Sequence, residues 1–157
     1  MSKINLARAL KEKKRIIGRI NEITPLFQQN VFEVDNAPAF TLKEKFNILQ
    51  ELKNHLITLK ELIVKANAES GITKRIYEME EKKADLIIWM KMDTDISPVR
   101  RRDYETDSIV EIKKSAFYSF EEVSNNKELL RKEIERLQDE IDMLNGSTVI
   151  EYPFELL

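Results

Sequence analysis

The 157-residue sequence has no cysteine, one histidine, three glycines and four prolines. The missing thiols exclude disulfides, thiolate metal sites and cysteine nucleophiles. A single histidine excludes every metal motif that needs a His pair from one chain. Three scattered glycines cannot form a phosphate-cradling loop or a Gly-x-Gly-x-x-Gly turn. No nucleophile elbow is present either. Long apolar runs are also lacking. The longest is Leu86-Ile87-Ile88-Trp89-Met90, whereas a membrane-spanning helix needs about 20 such residues. The opening Met1-Ser2-Lys3-Ile4-Asn5-Leu6 does not read as a secretory signal. The expected compartment is the cytoplasm, with no membrane partner.

What is present is 42% apolar and 34% charged residues with a formal net charge of −2. That balance suits a folded core rather than a disordered tail, and the length suits one domain spanning 1–157. Abundant Lys, Glu, Leu and Ile with little Gly or Pro point to long helices. The broad basic face of a nucleic-acid binder is not evident in the composition.

Apolar spacing predicts four helices. The first covers about 5–23, with Leu6, Leu10, Ile17 and Ile20 on one stripe, Asn5 as N-cap and Thr24-Pro25 as its end. The second covers 41–69, opened by the capping box Thr41-Leu42-Lys43-Glu44. Its residues Leu49, Leu52, Leu56, Leu59, Ile63 and Ala66 follow a heptad seam. Ser70-Gly71 then predicts a reversal that packs the third helix, 72–93, against the second. The fourth covers 119–145, opened by a second box from Ser119 to Glu122 and carrying Leu130, Ile134, Leu137, Ile141 and Leu144 at alternating spacings of 4 and 3. Short strands are expected at about 30–34, 108–113 and 147–152, where β-branched residues and Phe gather. Residues 94–107 read as a polar loop around Pro98. The expected fold is mainly α: an elongated antiparallel helical bundle or coiled coil with a small β element near one end.

In this order the segments resemble the septicolysin-like family of small bacterial helical proteins. The resemblance is carried by Ile4-x-x-Ala7-x-Ala9-Leu10 with Arg19-Ile20, by Ile63-x-x-x-Asn67, by Ala84-Asp85-Leu86, and by Glu111-Ile112-Lys113 followed by Leu137, Ile141 and Asn145. It covers most of the chain. Gly146 departs from the aromatic that the family tends to have after its final Asn. The resemblance implies a helical fold with an extended segment before the last helix, and no established enzyme activity, cofactor or substrate. Its name suggests a second function, that of a membrane-active, cytolysin-like protein.

Candidate chemistry is sparse. Glu51 and His55 stand one helical turn apart and read as a surface pair. Glu78, Glu80 and Glu81 alternate with Lys82 and Lys83 and read as a solvated face. Asp93 and Asp95, near Asp103, could bind a hard cation, but no Asp-x-Asp-x-Asp-Gly loop follows, and Asp95 is as easily a turn residue. The best anion-recognition candidate is Arg100, Arg101 and Arg102 with Tyr104 close enough to stack, since guanidinium groups bind phosphate or carboxylate bidentately. It carries a third function, RNA or anion binding. No catalytic set, metal site or cofactor is expected. The leading expectation is a non-enzymatic, self-associating scaffold or interaction module. Its partner would be a second copy of itself, joined along Leu49, Leu52, Leu56, Leu59, Ile63, Leu130, Ile134, Leu137, Ile141 and Leu144.

Overall fold

A computed structural model describes residues 2–157. They form four α-helices and two small antiparallel sheets. In chain order these are β1 (Ser2–Asn5), α1 (Leu6–Ile23), two short 3-10 helices (Thr24–Gln29 and Val34–Asn36), α2 (Leu42–Glu69), α3 (Ile72–Met90), β2 (Val99–Asp103), β3 (Ser108–Ile112), α4 (Phe120–Ser147) and β4 (Val149–Tyr152). The chain gathers into two compact units. One holds the residues up to Arg75 with Glu140–Leu157, and the other holds Ile76–Asp139.

The first unit is organised by the junction between β1 and α1. Asn5 ends the strand and caps the helix, its side chain accepting from the Arg8 amide at 2.9 Å. The same side chain donates to the Gly146 carbonyl at 3.1 Å, which ties the start of α1 to the end of α4. β1 pairs with β4 in the register Ser2↔Tyr152 and Ile4↔Ile150. Ile4 and Ile150 are buried, while Lys3 and Glu151 pair on the solvent side. This is the two-residue alternation of a sheet with one covered face. At the far end of α1, the Thr24 hydroxyl bonds back to the Ile20 carbonyl, and Pro25 starts a tighter turn.

α1 packs on α2, and α2 also packs on β4. From this set Leu6, Ala9, Ile16, Leu49, Leu52, Leu59, Ile63, Ile150 and Tyr152 enter the core. Small Ala9 on the buried face allows a helix to approach closely. The sequence pattern pointed to α3 as the packing partner of α2; the partner of α2 within the first unit is α1. Gly71 does take the left-handed conformation expected of it, at φ +78°.

In the second unit α3 and α4 bury Met79, Val123 and Leu137, and Lys82 reaches Glu133 at 2.9 Å. The Ser119 box forms in both directions: the Glu122 amide donates to the Ser119 hydroxyl, and the Ser119 amide donates to the Glu122 carboxylate.

The helices fall where the apolar spacing put them, with ends shifted by a few residues. The strands differ more. The expected strand at 30–34 is absent: Val31 and Val34 are exposed, and Val34–Asn36 is a 3-10 helix. The expected loop at 94–107 contains β2, whose three arginines tolerate an exposed strand because their long stems lie flat while the charges stay in water. The strands at 108–113 and 147–152 appear as β3 and β4.

Candidate interaction surface

Each expected seam residue on α2 is placed by the first unit's own packing. Leu49, Leu52, Leu59 and Ile63 are buried, and Leu56 is half-buried. On α4, Leu137 and Ile141 are buried, and Leu130, Ile134 and Leu144 are half-buried. The side chains that the seam would offer to a second copy are thus largely covered within the chain.

The arginine run lies on β2, opposite β3 in the register Val99↔Ile112, Arg100↔Glu111, Arg101↔Val110, Arg102↔Ile109 and Asp103↔Ser108. Successive side chains of a strand point to opposite faces. Arg101 therefore shares a face with Val99, Val110 and Ile112, while Arg100 and Arg102 share the other with Glu111 and Ile109. The three guanidinium groups do not converge on one anion. Arg102 is also engaged, its Nε and Nη2 both donating to Asp107 Oδ1 at 2.9 and 2.6 Å. Tyr104 stands exposed at the turn.

That turn is well made. Asp107 takes φ +52°, a region Asp tolerates better than most residues. Asp103 Oδ1 accepts from the Glu105 amide at 3.0 Å. Hydrogen bonds from that amide and then from Thr106 hold the Asp103 carboxyl below the usual carboxylate range. The Asp93 carboxylate likewise accepts from the Asp95 amide, and Asp95 from the Ser97 amide. Hydrogen bonds from the Ser97 hydroxyl and amide lower the Asp95 carboxyl. All three aspartates form turns, Asp95 as the sequence allowed.

The hairpin's sides are another matter. Nine of its ten strand residues are exposed, although Val99, Val110 and Ile112 on one face keep only about 40% of their surface open. An isolated two-stranded hairpin is marginally stable in water. Yet Val99, Ile109, Val110 and Ile112 all stand exposed on it. Around it Ile96, Tyr104, Phe117, Tyr118 and Phe120 are exposed as well. Composition alone did not reveal this surface. The sequence signal was the gathering of large apolar residues between Ile96 and Phe120 without helical spacing.

Between the end of α3 and the start of α4 the unit forms a cleft of about 950 Å³. Met92, Ile96, Tyr118 and Val123 give it an apolar lining, and Asp93, Asp95 and Lys114 also line it. Tyr118 is held edge-to-face on Trp89, with ring centroids 5.0 Å apart.

The first unit holds one buried charge, Glu12, which the sequence pattern passed over. Its Oε1 accepts from the Leu157 amide at 2.7 Å, and Arg15 Nη1 donates to the Leu157 main-chain oxygen at 3.0 Å. Phe154 stacks on His55 at 3.8 Å, so the Glu51–His55 pair expected from the sequence gives way to a ring stack. The cluster clasps the segment after β4. No group of three or more His, Asp or Glu among the described residues could hold a metal ion. No described helix is long and apolar enough to cross a membrane.

No family model and no curated protein matches the chain. A solved structure, that of a functionally unknown conserved protein from Corynebacterium diphtheriae, is similar over 96% of this chain and 100% of that one. The TM-score is 0.65 and the identity 20%. At that identity the likeness shows a shared fold.

Proposed function

We propose that the protein is a non-enzymatic, self-associating helical module, joined to a second copy through the β2–β3 hairpin and the apolar residues around it. The observation that carries this reading is the hairpin's exposure: a two-stranded sheet whose valines and isoleucines are only partly covered by their own chain. Packing against a second copy supplies what a lone hairpin lacks, an element to cover its apolar face.

Within this reading, α3 and α4 pair as an antiparallel coiled coil. The support is their two cross-helix ion pairs, Arg75–Glu140 and Lys82–Glu133, one heptad apart on both helices. The sequence resemblance to the septicolysin-like family and a cytoplasmic place belong to the same proposal. The alternation of Arg100, Arg101 and Arg102 across two faces favours protein contact over anion capture, since arginine is also common at protein interfaces.

Sedimentation velocity of the full chain over a dilution series tests the proposal. The expected result is a reversible monomer–dimer equilibrium that Val110→Lys combined with Ile112→Lys shifts to monomer, with helical circular dichroism unchanged. A wild-type chain that stays monomeric up to millimolar concentration overturns it.

A further inference from the structure

The charges of α1 are sorted by face. The helix carries six basic and two acidic residues in a chain whose net charge is −2, so the rest of the chain is acidic. At 3.6 residues per turn, Arg8, Lys11, Arg15, Gly18, Arg19 and Glu22 fall within an arc of about 100°. The opposite arc holds Leu6, Ala9, Ile16 and Ile23, which are buried. All six residues of the outer arc are exposed, and Lys14 stands exposed beside them. Of the two acids, Glu22 is paired with Arg19 at 2.8 Å. Glu12, at the edge of the face, is buried and engaged by the Leu157 amide and by Arg15. Among the described residues, no carboxylate lies within ion-pair distance of Arg8, Lys11 or Lys14. From Arg8 to Arg19 the row runs about 16 Å along the helix axis.

We propose that this face of α1 binds the phosphate backbone of a duplex nucleic acid, without regard to sequence. It is a different surface from the hairpin and does not depend on self-association. Charge complementarity names the partner. A row of like charges on a rigid helix fits a polymer that repeats the opposite charge, and a duplex carries one about every 1.7 Å of its axis. Guanidinium forks bind phosphate oxygens bidentately, and such contacts carry no sequence information. What the arc lacks decides among polyanions. It has no apolar side chain, so it offers neither the apolar centre of a protein interface nor a wedge for a bilayer. It has no aromatic ring on which unpaired bases would stack, which disfavours a single strand. The relief also fits. A hollow of about 380 Å³ opens beside Arg8, Lys11 and Arg15, and another of about 470 Å³ is lined by Arg15, Gly18 and Arg19. Glycine inside a helix weakens it relative to alanine. A Cβ at Gly18 would meet nothing within 4 Å, so the fold itself does not require the glycine. Its use is outward: bare backbone lets a phosphate strand come close between two arginines.

Fluorescence anisotropy of the full chain with two labelled DNA duplexes of unrelated sequence tests this. Both should bind alike, with the logarithm of the affinity falling against that of salt at a slope of about −3, one unit for each uncommitted cation. Combining Arg8→Gln, Lys11→Gln and Lys14→Gln should weaken binding at least about 30-fold in about 50 mM salt and flatten the slope by about one unit per residue. Combining Lys43→Gln, Lys53→Gln and Lys60→Gln makes the same charge change at exposed positions of α2. It should weaken binding less than about threefold, because only the long-range field changes. Gly18→Leu keeps every charge, and should weaken binding about 10-fold while leaving thermal stability equal or higher. All variants should keep the wild-type far-UV spectrum. A wild type that does not bind duplex at low salt overturns the proposal, as do equal losses from the α1 and α2 triple variants. Tighter binding to single strands or to phosphatidylserine vesicles overturns the duplex assignment. So does displacement of the duplex by polyglutamate as readily as by unlabelled duplex. Unchanged affinity in Gly18→Leu overturns the close approach at Gly18.

Discussion

Arg75 Nε on α3 donates to Glu140 Oε2 on α4 at 2.7 Å, across 65 residues of sequence. Both side chains are about one-third exposed. Arg75 Nη1 also donates to the Gly71 carbonyl at 3.2 Å, so one side chain links the α2–α3 turn to α4. A double-mutant cycle with Arg75→Ala and Glu140→Ala should give a coupling of about 1 kcal/mol in urea denaturation, the upper end for incompletely buried ion pairs. A coupling indistinguishable from zero would make the contact incidental.

Gly71 itself is the more sensitive position. Its φ of +78° lies where side chains with a Cβ are strained, and an added Cβ would stand 3.0 Å from Arg75 Nη1. The arginine tip can move, so backbone strain decides. Gly71→Ala should cost about 1 kcal/mol, and Gly71→Asn less. Equal stability of wild type and Gly71→Ala in thermal melts would contradict this.

The Lys82–Glu133 pair predicts a pH dependence. Its hydrogen bond and charge attraction lower the Glu133 carboxyl and raise the Lys82 ammonium relative to their ordinary values. For Glu133, the stabilisation is present above the ordinary carboxylate range and is lost as pH falls through the lowered folded value. For Lys82, it is present below the ordinary lysine range and is lost as pH rises through the raised folded value. The stability difference between wild type and Glu133→Gln should be flat around neutrality and shrink toward both strong acid and strong alkali. Chemical denaturation at a series of pH values reads this directly. A difference that grows in acid would refute the sign.

Tyr152 is fully buried, and its hydroxyl makes no hydrogen bond to the described residues. Burial, and then the nearby Glu12 carboxylate, push the phenol upward. A raised folded value means that stability is intact below the ordinary tyrosine range and declines as pH rises through the folded value. Tyr152→Phe should remove that alkaline decline. At neutral pH it should be neutral or stabilising by up to about 1 kcal/mol, since an unpaired buried hydroxyl costs more than it returns. A loss above that size would mean the hydroxyl has a partner.

Leu59 and Ile57 separate buried from exposed apolar positions on one helix. Leu59 is fully buried, and Ile57 is 58% exposed. Leu59→Ala should cost ~2–5 kcal/mol and Ile57→Ala less than about 1 kcal/mol. Comparable losses at both sites would show that Ile57 is covered in solution.

The sequence by itself determined the helices, because their signals are local. Caps at Asn5, Thr41 and Ser119 and stripes at 3- and 4-residue spacing act within a few turns, and all three caps form. It also determined what chemistry was missing. Tertiary structure decided the partners. β1 was unreadable because Ser2–Asn5 is four residues long, and its partner β4 begins at Val149. α1 packs on α2, which the pattern did not say, because a 3.6-residue period marks a face without naming what packs on it. The candidate surface became visible only when β2 and β3 paired. That pairing split three consecutive arginines between two faces and set Val99, Val110 and Ile112 together on one partly exposed face, because a strand alternates its side chains and a sequence does not say which strands will meet.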